Sequence, residues 1–207
     1  MQGKQDTTIG SAATLIGCAL AEYQIDVADI YRDAGLVTDV LAAPAVRYPF
    51  REMQVMWHLA VQRSGDACFG LTVARYFRPQ AMHGLGFLWL SSNTLMDALQ
   101  RLVRYQRLIS TVVDITLQED NDTVSLAIGL HHSSEMVEPA SIDAAVAVFV
   151  TMCRLAICRP FAPLRLQLMR PRPDGAERFE KFFSAPVEFG AHANVLHFDA
   201  ALLAEAL

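Results

Sequence analysis

His83 to Ser110 reads HGLGFLWLSSNTLMDALQRLVRYQRLIS, and Val113 to Leu130, almost directly after it, reads VDITLQEDNDTVSLAIGL. The hydrophobic period changes between the two. In the first stretch Leu95, Leu99, Leu102, Tyr105 and Ile109 recur at three- and four-residue steps, which makes one apolar helical face. Thr94 stands where an N-cap hydroxyl belongs, with Asp97 three residues on, as in a capping box. The predicted helix runs from Thr94 to Ser110, with Gln100, Arg101, Arg104 and Arg107 largely off its apolar face. In the second stretch Val113, Ile115 and Leu117 alternate with Asp114, Thr116 and Gln118. After the acidic turn at 119–122, Val124, Leu126, Ile128 and Leu130 alternate with Ser125, Ala127 and Gly129. A period of two on both sides of a turn predicts an antiparallel hairpin with one buried face. The apolar run Gly84 to Leu90 has no period that decides between strand and helix.

Working outward, residues 1–10 are polar and read as a loose N-terminus. Ser11 to Tyr23 reads as a helix, and Asp26 caps a second, short one that Gly35 stops. Leu36 to Tyr48 reads as irregular. Pro49 suits the first turn of a helix over Phe50 to Arg63, whose apolar face carries Met53, Met56, Trp57 and Ala60. Phe69 to Phe77 reads as another helix. Beyond the hairpin, a helix opening at Pro139 or Ser141 and running to about Arg159 is apolar nearly all round, which places it centrally rather than on the surface. Leu164, Leu166 and Leu168 mark a third strand, Ala176 to Phe183 a short helix, Val187 and Phe189 a fourth strand, and 195–198 a fifth. Asp199 caps a last helix over Ala200 to Leu207. Helices first and strands afterwards predict an α+β fold: N-terminal helices and a long buried helix packed on a mostly antiparallel sheet of about five strands.

The chain of 207 residues is long enough for one domain with a sizeable core and short for two. Apolar residues make up 53% and charged residues 19%, which excludes a disordered tail. A net charge of −5 without any run of Lys or Arg argues against DNA binding by this chain itself. Cys18, Cys68, Cys153 and Cys158 form no Cys-x-x-Cys pair and sit in apolar surroundings, which predicts buried thiols in a reducing cytoplasm. Leu15 to Cys18 looks superficially like a lipoprotein cleavage box, but Asp6, Thr7, Thr8 and Ser11 spoil the apolar segment it needs. No uninterrupted apolar run reaches the length of a membrane span without a charge.

Motifs for chemistry are weak. Gly84-x-Gly86 lacks the third glycine and the strand–turn–helix setting of a nucleotide fingerprint. His131 and His132 are adjacent on an extended segment, so they point to opposite faces and do not chelate one metal readily. No Cys/His cluster has zinc spacing, so no metal and no cofactor are expected. Ser91, Ser92 and Thr94 lie outside any Gly-x-Ser-x-Gly motif, and capping explains Thr94, so no catalytic residue is predicted. A mostly apolar ligand pocket with a few polar or aromatic handles is better supported. The candidates are Trp57 and His58 beside Gln54, then His83, Phe87 and Trp89, and finally Arg104 and Tyr105. Arg104 is the natural partner for a carboxylate ligand. Each of these residues is equally compatible with plain core or surface packing.

Two blocks carry a resemblance to a known family. The first is the Gly-x-Gly apolar run followed by Ser-x-Thr-Leu and Ala-Leu-x-x-Leu-x-Arg-Tyr, over 84–105. The second is 179–198, FEKFFSAPVEFGAHANVLHF, with Phe-Phe, Pro-Val-x-Phe-Gly-Ala and Asn-x-Leu-x-Phe. Together, in this order, they resemble the N-terminal effector-sensing, arabinose-binding-like domain of AraC-type bacterial transcription regulators. Asn93 stands where a proline is common in that family. The resemblance runs from about residue 11 to 207 and implies a single effector-sensing and dimerisation domain, not an enzyme. It implies a small-molecule effector, a homodimer, and DNA contact only through a helix-turn-helix domain that would follow residue 207. Alternatives are a haem- or gas-sensing domain, with His83 or His58 as ligand, and a dimerisation module that binds nothing.

Overall fold

The computed structural model describes residues 5–36, 46–131 and 137–207. Strand β1 (Thr7–Ile9) leads into helices α1 (Ser11–Glu22) and α2 (Val27–Asp33), and strand β2 (Arg47–Pro49) into α3 (Phe50–Ser64) and α4 (Phe69–Arg75). A tight turn at Pro79–Met82 precedes α5 (Gly84–Leu90) and α6 (Leu95–Tyr105). Then come the hairpin β3 (Val113–Asp120) and β4 (Thr123–Leu130), the long helix α7 (Pro139–Ile157), β5 (Arg165–Leu168) and α8 (Glu177–Phe183). The described chain closes with β6 (Val187–Phe189), β7 (Asn194–Asp199) and α9 (Ala200–Ala204).

The fold is α+β, with a five-stranded sheet in the order β3-β4-β7-β5-β6. All its pairings are antiparallel except β5 with β6, which the α8 crossover makes parallel. The hairpin forms in the register the alternation predicts, with Ile115 opposite Ile128 and Leu117 opposite Leu126. Its two-residue turn holds Asn121 at φ 45°, a left-handed conformation that asparagine tolerates well.

Local chemistry sets the helix ends. Thr94 accepts a hydrogen bond from the Asp97 amide at 3.0 Å, Asp26 from Ala28 at 2.9 Å and Asp199 from Ala201 at 2.8 Å. Gly65 at φ 64° ends α3 in the left-handed C-cap that glycine adopts without steric cost.

Several sequence expectations change. The ambiguous run Gly84–Leu90 is helical: Leu85, Gly86 and Trp89 are buried at helical spacing, while Phe87, Leu88 and Leu90 face outward. Helix α6 stops at Tyr105 rather than Ser110, in a 3-10 turn at Gln106–Leu108. The cause is visible in Gln106, whose amide both donates to Ile115 O and accepts from Ile115 N, so that it pairs with the β3 edge like a short strand. The N-terminal segment is not loose throughout, because Thr7–Ile9 pairs with Arg47–Pro49. The irregular segment expected over Leu36–Tyr48 lies mostly outside the described residues, as does His132.

Two cores meet along α4 and α7. One lies under the sheet and gathers Trp89, Leu99, Leu126, Val150, Phe179 and Leu196. The other lies among α1 to α4 and gathers Ile16, Leu20, Met53, Trp57, Phe69 and Ala144. The length of α7 and its mean hydropathy of 1.8 would suit a membrane-crossing helix. Here it is packed between the N-terminal helices and the sheet, which explains why apolar residues cover nearly its whole circumference.

Close approach to α4 is possible only at Gly70. A Cβ there would lie 2.3 Å from Ala140 O and 2.8 Å from Ala144 N, both backbone atoms that cannot step aside. Gly70→Ala is therefore expected to destabilise the fold by about 3 kcal/mol through overpacking, read as a lowered urea midpoint at unchanged slope.

At the same crossing α7 buries Asp143, whose Oδ2 accepts from Arg170 Nη1. Asp143 Oδ1 and Arg170 Nε have no hydrogen-bond partner among the described residues. Burial pushes the Asp143 carboxyl up to about 7, against the opposing pull of the Arg170 guanidinium. The sign for stability follows from this shift. An unfolded aspartate releases its proton near 3.8, so between that pH and about 7 the folded chain holds a proton the unfolded chain has lost. This contribution is complete at acid pH and disappears as pH rises through 7. Unfolding free energies at pH 5 and pH 8 should therefore show wild type losing ground relative to Asp143→Asn as pH rises; a gain would contradict the assignment.

Candidate functional site

The seam between the two cores is not filled. A cavity of about 180 Å³ lies between α1, α3 and α7 on one side and β3 and β4 on the other. Helical spacing decides who faces it. On α3 these are Met53, Gln54 and Trp57; on α7, Ser141, Ala144, Ala145 and Val148. The sheet contributes Ile115 and Ile128, and Phe77 and Phe149 add aromatic surface. One end is closed by Thr8 and Ile9 of β1 together with Gln106, Ile109 and Ser110. That end is tied down by the backbone pairs Ile9 N to Ile109 O (2.8 Å) and Thr111 N to Thr7 O (3.0 Å). Arg47 adds to it by donating to Thr7 Oγ1 (2.8 Å) and Leu108 O (2.6 Å).

Among the described residues, the lining carries no charged side chain and no histidine. Its few polar groups are mostly engaged with the protein. Ser11 Oγ donates to Ala81 O, Ser141 Oγ to Glu138 O at 2.8 Å, and both ends of Gln106 are held by Ile115. Thr8 Oγ1 donates to Ser110 Oγ at 3.4 Å. Gln54 differs. Its Oε1 accepts from the Glu138 amide at 2.8 Å, and its Nε2 has no partner among the described residues. An amide that must accept from a backbone N–H presents its NH2 the other way, so the orientation of this side chain is fixed by chemistry.

Of the seven residues picked out in the sequence, Trp57 lines the cavity. Its ring also meets Phe69 edge-on at 6.2 Å. The other six lie elsewhere. His58 is on the outer side of α3, 66% exposed in its side chain and 3.2 Å from Glu138. His83 sits at φ 49° between the turn at Pro79–Met82 and α5. Phe87 is 63% exposed. Trp89 is wholly in the sheet-side core, its indole N–H donating to Met152 O at 3.1 Å. Arg104 and Tyr105 are exposed and stack on each other, the guanidinium 5.5 Å from the ring centre. The lining residues not singled out, such as Leu15, Ala145, Val148 and Phe149, carry ordinary apolar periodicity. Only the small residues repeated along α7 hint that space is left beside it.

A second, more polar hollow of about 300 Å³ adjoins the first, sharing Ile128, Leu130, Val137 and Ile142 with it. Asp143, Arg170 and Asn194 stand in its wall. Asn194 is spent on the sheet, accepting from Met169 N at 2.9 Å and donating to Ile128 O at 3.3 Å.

Among the described residues, no three His, Cys, Asp or Glu side chains come together to hold a metal ion. The outer sheet face brings Ser125 Oγ to 2.9 Å from His197 Nδ1, the spacing of a nucleophile and base. The other ring nitrogen, however, meets Gln167 Oε1 at 2.9 Å, and the carboxylate of Glu188 reaches only Gln167. The result is a polar ladder across four strands that ends on the Glu188 carboxylate, with burial and then Arg165 holding the imidazole below its ordinary pKa.

Comparison with known proteins agrees with this architecture. The chain is 25% identical over 173 residues to the ornithine utilization regulator of Pseudomonas aeruginosa, an alignment covering 82% of this chain and 50% of that protein. The crystal structure of transcriptional regulator CdpR from Pseudomonas aeruginosa superposes with a TM-score of 0.62 at 16% identity, over 93% of this chain and 57% of that one. The chain thus spans about half the length of the regulators it matches. Residues 25–207 match the family described as the arabinose-binding domain of AraC transcription regulators, N-terminal, and the chain belongs to that family.

Proposed function

We propose that this domain senses a small molecule held in the apolar cavity at the seam, and that occupancy of the cavity sets how a helix-turn-helix DNA-binding domain engages its operator. The observation that supports this best is that the cavity walls come from both cores, with Trp57 and Met53 on the helical side and Ile115 and Ile128 on the sheet side. A ligand bound there contacts both layers at once. If its affinity differs between two arrangements of those layers, it shifts the balance between them by that difference and no more. Of the residues picked out in the sequence, Trp57 is the one this reading uses as a ligand contact.

Two copies acting together on a two-fold site complete the scheme. The exposed apolar side of α5, with Phe87, Leu88 and Leu90, is a place for such a contact. Phe87→Glu is expected to shift a dimer toward monomer in sedimentation velocity without changing the thermal midpoint.

The test of sensing is a thermal-shift screen of amino acids, sugars, fatty acids and neutral hydrocarbons on the wild-type chain, with Ala145→Phe and Val148→Phe as controls that fill the cavity. A true effector at a hundred times its Kd stabilises the native state by about 2.7 kcal/mol, and the filled variants should lose that response while remaining folded. A response that survives both substitutions would place the ligand elsewhere, and a screen with no response would leave the domain as a dimerisation module.

A further inference from the structure

Resting on the reading that the cavity holds the effector, we infer the chemical class of that effector: an uncharged, mostly hydrocarbon molecule with one acceptor oxygen, received by the Gln54 amide. Three observations carry this. First, among the described residues no charged side chain lines the cavity, so an ammonium or carboxylate entering it would meet no countercharge there, a penalty of several kcal/mol per ion. An amino acid such as ornithine would bring three such groups.

Second, most polar groups of the wall are already engaged. Ser11, Ser141 and Gln106 direct their donors at the protein's own carbonyls. A sugar would bury several hydroxyls against aliphatic carbon, and each unpaired one costs about 1–3 kcal/mol. Third, Gln54 keeps an uncommitted donor whose direction is fixed. Gln54 Oε1 is held by the Glu138 amide, and Nε2 is free among the described residues on a side chain that lines the cavity. Nε2 can satisfy a ketone, aldehyde, ester or alcohol oxygen, and has nothing to offer a cation.

Size narrows the class further. An apolar cavity of 150 Å³ accommodates benzene, so about 180 Å³ suits a compact molecule on the order of ten non-hydrogen atoms. The rigid indane skeleton has that size and comes in every required variant: indane, 1-indanone, 1-aminoindane and indane-1-carboxylate.

The experiment titrates these four probes, with L-arabinose and L-ornithine, into the 207-residue chain. Binding is read from tryptophan fluorescence, confirmed by calorimetry, and repeated on Trp57→Phe. The chain has two tryptophans, and Trp89 is away from the cavity, so a cavity ligand must act on Trp57. The expected result is that 1-indanone and indane bind and alter Trp57 emission. The ammonium and carboxylate analogues bind at least about a hundredfold more weakly, and the sugar and the amino acid give no signal.

Gln54→Leu and Gln54→Glu separate the hydrogen bond from mere packing. Either should weaken 1-indanone about threefold to tenfold relative to indane measured on the same variant, so a general loosening of the fold cancels in the ratio. Equal weakening of both compounds would overturn the Gln54 assignment. Binding of arabinose, ornithine or the charged indanes as tightly as the ketone, lost on Ala145→Phe, would overturn the ligand class while leaving the sensing role intact. Silence from all six probes, beside a cavity-dependent thermal shift from another metabolite, would likewise reject the class alone. Silence in both experiments would reject the sensing role with it.

Discussion

Everything in this structure depends on how closely α7 can lie against α4. Contact at Gly70 brings two helix backbones to a distance that no side chain permits. That contact lets one apolar helix serve two cores, the N-terminal helices on one side and the sheet on the other. The same crossing carries the buried Asp143–Arg170 pair, and Arg170 also donates to Ala67 O just before α4. A buried ion pair contributes little net stability, but it penalises any packing in which its partners are separated. The apolar surface of α7 supplies attraction without direction, and the pair supplies direction.

The cavity follows from that arrangement. Where α7 touches α4, small residues and Gly70 allow backbone contact. On the side toward α3 and the hairpin, Ala144 and Ala145 leave room that Trp57, Met53 and Ile128 border but do not fill. An empty apolar space forfeits dispersion contacts on every wall atom, so a hydrophobic core does not leave one open at no cost. On the proposed reading, a ligand supplies the contacts that this space forfeits.

The fold was largely legible in the sequence because its elements announce themselves locally. The hairpin shows in strict alternation from Val113 to Leu130, α6 in its Thr94 cap and Leu spacing, and the central place of α7 in its all-round apolarity. Where the reading stopped short, the deciding interaction was distant or shared. Gly84–Leu90 carries glycines and an apolar run that local period cannot resolve; as a helix it buries Leu85, Gly86 and Trp89, and Trp89 donates to Met152 O on distant α7. The end of α6 is set by Gln106 reaching Ile115, nine residues on. The β1–β2 pair joins segments forty residues apart and has no alternation long enough to see. The site was harder for the same reason. Arg104, Tyr105 and Phe87 are chemically conspicuous, yet helical phase says only that they leave the core, not whether they meet solvent or a cavity. Gln54 and Ala145 are inconspicuous, and their importance comes from what α7 leaves beside them.

On the proposed reading, a site with an uncommitted Gln54 amide in a wall whose described residues are mostly apolar also bears on how a sensor would respond. Charged and polyhydroxylated metabolites, abundant in any cell, meet a desolvation penalty before they meet a contact. Discrimination therefore does not require a close geometric match to one compound. On that reading it comes from what the wall refuses, with Gln54 adding a modest preference among the neutral molecules that remain. The affinity that apolar burial supplies is available to any hydrocarbon of suitable size. Specificity would then be carried by the shape between Trp57, Phe149 and Ile128, and by the β1 end, where Arg47 and the 109–111 backbone hold the closing strand in place. That end joins the N-terminal segment to the edge of the sheet. On the proposed reading, a ligand that presses on Ile9 and Ile109 acts on a junction in the cavity wall where the N-terminal segment and the segment leading into the sheet are tied by backbone hydrogen bonds, so a difference in occupancy has a short path to a difference in their relative placement.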